Sequence, residues 1–321
     1  MSKTSVAAAP GELAKTPWQK FLIRFKKNWQ LHAMIILPCL YLIFMGYVPL
    51  YGLQIAWRDY TPKLGVWHSE FVGWKYFTKF FEYYRWPVLV RNTLALSFYE
   101  LLVGFPIPII LALIIHVNKN KVLKKVSQNV SYIPHFISLV VMIGILNTVL
   151  NPVTGLLGHI YNWVNVKSKH DIRGSAEAFR HLYVWSGVWQ GMGWGSIMYL
   201  SALSASPDEL HEAAKLDGAS RLRRVWSVDL PAILPTICLM LIMRVGSIMA
   251  VGYQKAFLLQ TSMNSETSDI VSTFVYTKGI QANQMSFGTA IDLMNSILNM
   301  FMVFIANAVV NKLSDNELGL F

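Results

Sequence analysis

The chain has 321 residues, of which 54% are hydrophobic and only 14% charged, with a mean hydropathy of +0.40 and a formal net charge of +11. Soluble domains carry about 25% charged residues, so this composition excludes an ordinary soluble protein and predicts an integral membrane protein. The excess of Lys and Arg then indicates basic loops and contact with anionic membrane lipid rather than binding to nucleic acid. Cys39 and Cys238 both fall in apolar stretches, which argues against a disulfide.

The N-terminal segment 1–30 is basic and is expected to be cytosolic. Within it, residues 12–29 predict an amphipathic helix that lies in the plane of the lipid headgroups. The basic side chains of this helix lie away from its apolar face, which would consist of Trp18, Phe21, Leu22, Phe25 and Trp29.

Six apolar stretches follow, each long enough to cross a bilayer, since a transmembrane helix needs about 20 mainly apolar residues. They cover roughly residues 31–56, 90–116, 130–150, 181–203, 232–258 and 288–311. Several contain proline, which a membrane helix tolerates when its neighbours satisfy the freed carbonyl groups. The sequence therefore predicts an all-α integral membrane protein with six transmembrane helices in a single domain, 31–312, and a short cytosolic tail, 313–321.

The charges of the loops indicate the orientation. Residues 119–125 form a short loop with four lysines, and short cytosolic loops carry an excess of positive charge. This places both termini and the 204–231 loop in the cytosol. The segments 58–86, 151–180 and 260–287 then face outward, and the aromatic residues of the first could serve as an interfacial belt or as a docking surface for another protein.

The 204–231 loop, between the fourth and fifth apolar stretches, has an unusually regular design. Ser206 is predicted to cap a helix that has Pro207 at its first position and Glu209 at its third, which would complete a capping box. Gly218 lies where a helix end favours a residue that tolerates positive φ. A short basic turn follows, and Pro231 opens the next apolar stretch.

Part of this loop follows the spacing E-A-A-x3-G-x9-I-x-L-P, with Val228 in place of Ile. It resembles the signature loop of the permease subunits of binding-protein-dependent ABC importers. The resemblance extends from about residue 30 to the end, and the segments 132–136, 184–195, 251–259, 269–276 and 306–307 are similar to the larger permease of carbohydrate importers. Members of that subfamily take up oligosaccharides, including alginate and pectin fragments. The matching loop positions are Glu212, Ala213, Ala214, Asp217, Gly218, Leu230 and Pro231.

This resemblance implies a type I ABC importer permease fold in the membrane of a bacterial cell. It implies that this chain pairs with a second, similar permease, that two ATPase subunits bind ATP and Mg, and that an extracytoplasmic solute-binding protein delivers the oligosaccharide. The helix at 207–217 would be the coupling helix, seated on an ATPase subunit. Alternating access driven by ATP hydrolysis in the partners would move the solute.

The sequence itself predicts neither an enzyme nor a cofactor site. No G-x-x-x-x-G-K-[ST] motif is present, so this chain is not expected to bind nucleotide phosphates. The run from His211 begins like a zincin helix, but Lys215 stands where the second histidine is required, and the histidines show no ligand spacing, so no metal site is predicted. The Gly191-x-Gly193-x-Gly195 pattern, inside an apolar stretch, favours close helix packing over dinucleotide binding.

Three ionisable residues, Glu100, Arg244 and Asp292, lie well inside predicted spans. A charge at that depth costs at least about 2.5–3.5 kcal/mol, so each should face protein or a water-filled cavity. One hypothesis pairs Arg244 with Glu100 or Asp292 to fix the helix register. The other has Arg244 face the translocation cavity and bind a polar or anionic solute, because guanidinium groups bind carboxylates with two hydrogen bonds.

Aromatic and amide side chains in the last two spans suit a carbohydrate, which offers C–H faces for stacking and hydroxyls for hydrogen bonds. The candidates are Tyr253, Gln254, Phe257, Asn295 and Asn299. Hydrogen bonds between helices explain the two asparagines equally well. An ion- or proton-coupled carrier, with Glu100 and Asp292 as proton carriers, is the alternative function, although the inverted repeats typical of such carriers are not visible.

Overall fold

The computed structural model describes residues 18, 23, 25–164, 171–249 and 251–313. Most of the predicted amphipathic helix 12–29 and of the tail 313–321 lies outside the described residues. The chain divides into two compact units, Met1–Gln54 and Ile55–Phe321. Helices dominate both, and the described residues hold one pair of short strands, β1 Arg58–Asp59 and β2 Glu70–Phe71, which run antiparallel with Arg58 opposite Phe71.

The first unit contains α1, Trp29–Leu42, with Pro38 in its interior. A π-helical turn, Ile43–Tyr47, continues α1 and leads into a 3-10 segment, Val48–Trp57, which runs on into the second unit. None of the residues of α1 is buried within this chain. A helix that is apolar on all sides needs an apolar environment, so this element is suited to lipid or to another subunit.

The second unit is a helical bundle. Its helices before the 204–231 loop are α2 Gly65–His68, α3 Lys75–Glu82, α4 Trp86–Gly104, α5 Pro106–Val117, α6 Lys121–Tyr132, α7 Leu139–Val149, α8 Leu156–Trp163 and α9 Ala176–Ser204. Within and after the loop come α10 Asp208–Leu216, α11 Arg221–Arg224, α12 Leu230–Gly246, α13 Tyr253–Leu259, α14 Ser265–Ser268, α15 Val271–Phe274 and α16 Met285–Leu313. Short 3-10 turns lie at Ile133–Phe136 and Ile172–Gly174, and π-helical turns at Val225–Asp229 and Val275–Gln281.

Four continuous helical stretches in the described part of the chain are long and apolar enough to cross a membrane: Trp29–Trp57, Trp86–Val117, Arg221–Gly246 and Met285–Lys312. They correspond to the first, second, fifth and sixth predicted spans. The predicted third span, 130–150, is instead a pair of helical segments, Lys121–Phe136 and Leu139–Val149, that meet at a bend of 99°. Pro134 and the extended residue Ile137 account for this bend, because neither continues an α-helix.

The predicted fifth span, 232–258, is also interrupted. Its helix, α12, ends at Gly246, and the chain starts a new helix, α13, only at Tyr253. The apolar residues between them conceal this break from a hydropathy profile. The carbohydrate-binding candidates Tyr253, Gln254 and Phe257 therefore lie on a separate short helix rather than at the end of a membrane span.

Helix α9 takes the place of the predicted fourth span, 181–203, and lies at the centre of the bundle. It packs against α4, α5, α6 and α12, and residues such as Phe179, Val184 and Leu203 are buried. Its many Gly, Ser and Trp residues make it less apolar than the other spans, which a helix enclosed by protein tolerates. The predicted close packing is confirmed at Gly193, where an added Cβ would collide with the carbonyl oxygen of Ser131.

Asn92, fully buried on α4, joins three parts of the second unit. Its amide nitrogen donates to the carbonyl oxygens of Glu266, at 2.7 Å, and Asp269, at 3.0 Å. Its oxygen accepts a bond of 3.0 Å from Arg180 on α9. The side chain thus ties α4 and α9 to the chain around α14.

We expect Asn92→Ala to lower the free energy of unfolding by about 2–4 kcal/mol, because each buried group left unsatisfied costs about 1–3 kcal/mol. Thermal unfolding in detergent measures the change. Asn162→Ala, at an exposed position of α8, is the matched control and should unfold like the parent protein. Equal stability of the two variants would contradict the joining role of Asn92.

Candidate functional site

The N-terminus of helix α10 differs from the predicted capping box. The helix begins at Asp208, and the carbonyl of Pro207, not that of Ser206, accepts its first hydrogen bond, from Leu210 at 3.3 Å. Proline has extended backbone angles here, so it takes the capping position without a side-chain acceptor. The hydroxyl of Ser206 is buried and bonds to none of the described residues. The predicted capping box is therefore wrong, because the helix starts one residue later.

The C-terminus of α10 confirms the predicted role of Gly218. Its φ is +76°, in the left-handed region that favours glycine. Its amide donates to Lys215 O at 3.0 Å, and the amide of Ala219 donates to Ala214 O at 2.9 Å. These two bonds define a Schellman motif, which ends the helix sharply and reverses the chain.

After this reversal the chain forms a continuous helix into the bundle. Ser220 caps its start by accepting a hydrogen bond from the amide of Arg223, and helix α11, the π-helical turn Val225–Asp229 and α12 follow without a gap. Pro231 lies in the first turn of α12. A proline ring clashes with the carbonyl four residues earlier in a regular α-helix, and the wider π-helical turn just before it relieves that clash.

The 204–231 loop presents an apolar surface that no described part of this chain covers. Leu216 at the end of α10 is 89% exposed, and Trp226 in the π-helical turn is 69% exposed. Glu212 and Ala213 are also exposed, whereas Ala214 is half-buried. Large apolar side chains in a polar loop indicate a contact surface for another protein.

Behind α10, three side chains that are distant in the sequence converge. Asp229, only 1% exposed, has its Oδ1 atom 3.0 Å from Nε2 of His211 and 3.6 Å from Nε2 of His116. The three come from the end of α5, from α10 and from the turn before α12. They border a cavity of about 300 Å³ whose other charged lining residues are Lys119, Lys215, Arg221 and Arg224. Sequence spacing gave no signal of this cluster.

Within the bundle, Arg244 pairs with Glu100, as one of the two hypotheses predicts. Its Nη2 donates to the Glu100 carboxylate at 2.6 Å, and both side chains remain partly exposed. Asp292, the other predicted partner, lies instead on an exposed face of α16. The ion pair borders two cavities of about 230 and 400 Å³, so pairing does not remove Arg244 from open space.

A second cation, Lys255 on α13, lines the smaller cavity and was not among the substrate candidates predicted from the sequence. It is 9% exposed, donates to the backbone oxygen of Tyr183, and lies 4.5 Å from the centre of the Tyr183 ring. Its position inside the predicted span 232–258 could have identified it, because a charged residue in a membrane span is costly. This cavity therefore has two cations, Arg244 and Lys255, and one carboxylate, Glu100, among its lining residues.

The five carbohydrate candidates divide into two groups. Tyr253 stacks on Tyr276 with ring centres 5.0 Å apart, and Phe257 meets the same ring edge-on, while Gln254 is exposed. Asn295 and Asn299 instead form hydrogen bonds with the main chain just beyond the end of α12.

These two asparagines bind a single residue, Met249. Asn299 Oδ1 accepts from its amide at 2.9 Å, and Asn295 Nδ2 donates to its carbonyl at 3.3 Å. Hydrogen bonds from α16 to the turn after α12 thus account for the observed contacts of both side chains, which lie one turn apart on α16 as their spacing predicts.

The comparison with known proteins agrees with this architecture. The sequence profile of the family described as binding-protein-dependent transport system inner membrane component matches residues 104–315. This range contains the 204–231 loop, helix α12 with Arg244, and the whole of α16. The chain belongs to this family. The protein is thus an inner-membrane transport permease, and the predicted resemblance is confirmed.

Relatives of this permease match it over nearly their whole length. The polygalacturonan/rhamnogalacturonan transport system permease protein YteP of Bacillus subtilis (strain 168) is 35% identical over 98% of both chains. Protein LplB of the same organism is 36% identical over 94% of both chains. A chain in the crystal structure of a bacterial alginate ABC transporter, in complex with an alginate pentasaccharide-bound periplasmic protein, superposes with a TM-score of 0.84 at 32% identity, covering 95% of this permease and 100% of that chain. This similarity confirms the predicted type I permease fold.

The segment 58–86 of the permease carries exposed aromatic side chains, and a hydrogen bond joins its helix α3 to its strand β1. The hydroxyl of Tyr76 donates to Asp59 at 2.6 Å, which fastens α3 to β1 and holds the pKa of Asp59 below its usual value. Burial, together with the same contact, raises the pKa of Tyr76 to about 12. Exposed aromatic side chains of this segment include Trp67, Trp74 and Tyr84. Both predicted roles, interfacial belt and docking surface, are compatible with this arrangement.

Proposed function

We propose that this permease takes up acidic oligosaccharides, such as uronate oligomers, delivered by a solute-binding protein. The observation that carries the proposal is the excess of cations in the cavity of about 230 Å³, where Arg244 and Lys255 face the single carboxylate of Glu100. A bound carboxylate would balance this charge, and Arg244 remains accessible for it. The names of YteP and of the alginate transporter, both for carriers of acidic polysaccharides, support the same class of solute.

Neutral polar groups in the same cavity suit the hydroxyls of a sugar. Ser97 has a buried hydroxyl that bonds to none of the described residues, so it can donate to a solute. Tyr183 adds an aromatic ring to the lining. The stacked pair Tyr253 and Tyr276 and the exposed amide of Gln254 extend these contacts along α13, where Phe257 supports the pair.

The proposed mechanism is alternating access coupled to ATP hydrolysis in two partner ATPase subunits. The 204–231 loop faces the cytosol, and α10, ending at Gly218, seats on one ATPase. The exposed Leu216 and Trp226 supply apolar contact area for that interface. Since α11, the π-helical turn and α12 are continuous, a displacement of the loop passes directly to the helix that carries Arg244.

A second permease subunit is the proposed partner within the membrane. Asp292 lies on an exposed face of α16, a helix apolar enough to span the bilayer. A charged group facing lipid is costly, so this face is suited to another protein subunit. The pairing of Glu100 with Arg244 weakens the carrier alternative, in which Glu100 would be a proton carrier.

Uptake by the transporter in proteoliposomes, with its solute-binding protein, tests the choice of solute. We expect a uronate oligosaccharide to be taken up at least about tenfold faster than its methyl ester, which has the same length and linkages but no charge; a tenfold change corresponds to about 1.4 kcal/mol. Binding of both compounds to the solute-binding protein is measured separately, so that discrimination by the permease is distinguished from discrimination at delivery. Equal uptake at equal delivery would overturn the acidic class.

A further inference from the structure

We propose that His116, His211 and Asp229 form a binding site for a divalent transition-metal ion of the zinc type, which fastens α10 to α5 and α12. Two imidazoles and one carboxylate are ligands that Zn²⁺ accepts, and a site with three protein ligands leaves a fourth position open.

The distances between the candidate ligand atoms fit one ion. Zinc bonds to imidazole nitrogen and to carboxylate oxygen are about 2.0–2.2 Å long, so neighbouring ligand atoms of a tetrahedron lie about 3.3–3.6 Å apart. Here Oδ1 of Asp229 lies 3.0 Å and 3.6 Å from the two histidine nitrogens, and all three ligand atoms lie within 4.8 Å of one another. Binding of one ion therefore requires the two histidine nitrogens to lie at a similar separation from each other.

The burial of the Asp229 carboxylate is a second observation that favours a bound cation. Its carboxylate is almost completely buried, and Oδ1 accepts no hydrogen bond from the described residues although Nε2 of His211 is 3.0 Å away. A nitrogen and an oxygen at this separation can coordinate the same cation. A buried carboxylate without compensation is costly, and a metal ion compensates it directly.

The basic lining of the adjacent cavity determines what completes the site. Lys119, Lys215, Arg221 and Arg224 disfavour a dication with no further anionic ligand. They favour an anion, such as chloride or a carboxylate, in the open fourth position. Apart from Arg224 these side chains are exposed, so solvent weakens their repulsion of the metal.

Cobalt titration of the assembled transporter, purified through a tag other than polyhistidine, tests the site. Tetrahedral cobalt gives visible absorption bands, and zinc should displace it. We expect one more equivalent of metal in the parent than in His211→Gln or Asp229→Asn, with affinity at that site reduced at least about 100-fold, because even outer-shell partners are worth about 10–100-fold. His159→Ala, at an exposed histidine of α8, is the matched control and should bind metal like the parent.

Hydrogen exchange then tests whether the metal fastens α10. Zinc should slow exchange of the amides of Asp208–Leu216 in the parent and in His159→Ala, but not in His211→Gln. His211 is partly exposed, so the glutamine variant is expected to fold, and its unfolding temperature without metal checks this. Equal metal content in the parent and His211→Gln, or no zinc-dependent slowing in the parent, would overturn the proposal. Both readouts are independent of solute and of ATP hydrolysis.

Discussion

Replacing Gly218 with valine is expected to reduce solute uptake at least tenfold while leaving membrane insertion intact. A non-glycine residue in the left-handed region costs about 1–2 kcal/mol, and a β-branched side chain fits there worst. The strain falls on the Schellman motif, because the φ of +76° at Gly218 allows Ala219 to bond back to Ala214. An altered end of α10 would separate ATP hydrolysis from transport. Uptake and ATP turnover, both measured in proteoliposomes, give the coupling ratio.

Two controls separate backbone strain from added bulk. Gly218→Asn should retain most of the uptake, because asparagine adopts positive φ more readily than other residues with a side chain. Gly144→Val places the same side chain on α7, where no atom lies within 4 Å of the new Cβ and φ is ordinary. Parental uptake at a parental coupling ratio in Gly218→Val would rule out α10 as the coupling helix.

The second large effect is expected from Arg244→Gln, which should reduce uptake of an acidic oligosaccharide at least tenfold. This change removes the guanidinium that borders both cavities and leaves Glu100 without its partner at 2.6 Å. The remaining carboxylate then repels an acidic solute. Initial uptake rates over a range of solute concentrations measure the effect.

A double variant decides between the two original hypotheses for Arg244. If the ion pair only fixes the helix register, Glu100→Gln combined with Arg244→Gln removes both charges and should restore uptake. If Arg244 binds the solute, the double variant should transport as poorly as Arg244→Gln, whereas Glu100→Gln alone should keep or improve apparent affinity. Unfolding temperatures of the three variants show whether any loss reflects stability.

The comparison between sequence and structure shows which features local chemistry determines. The end of α10, set by the positive φ of Gly218, follows from local conformational preferences, so it could be predicted. The start of α10 was predicted one residue too early, because Pro207, with extended backbone angles, takes the capping position instead of Ser206. The spans were located by hydropathy, but the break after Gly246 was not, because the interrupting residues are themselves apolar.

The candidate functional site also has some residues that the sequence identifies and others that only the tertiary fold brings together. Arg244 stood out because a charge in an apolar stretch is costly, and its pairing with Glu100 was one of two predicted outcomes. The cluster of His116, His211 and Asp229 could not be predicted, because its members come from three elements that only the tertiary fold brings together. Likewise, the bonds of Asn295 and Asn299 to Met249 depend on where α12 stops, which the sequence did not show.

Those bonds to Met249 make two helices mechanically dependent on each other. Because α16 holds both the amide and the carbonyl of Met249, three residues beyond the end of α12, a lengthwise shift of α12 that carried Met249 with it would break two hydrogen bonds. A tilt or rotation about Met249, however, leaves both bonds in place. Force entering through the 204–231 loop would therefore turn α12 around a fixed pivot, so that a small displacement at one end of the helix becomes a change of angle at Arg244.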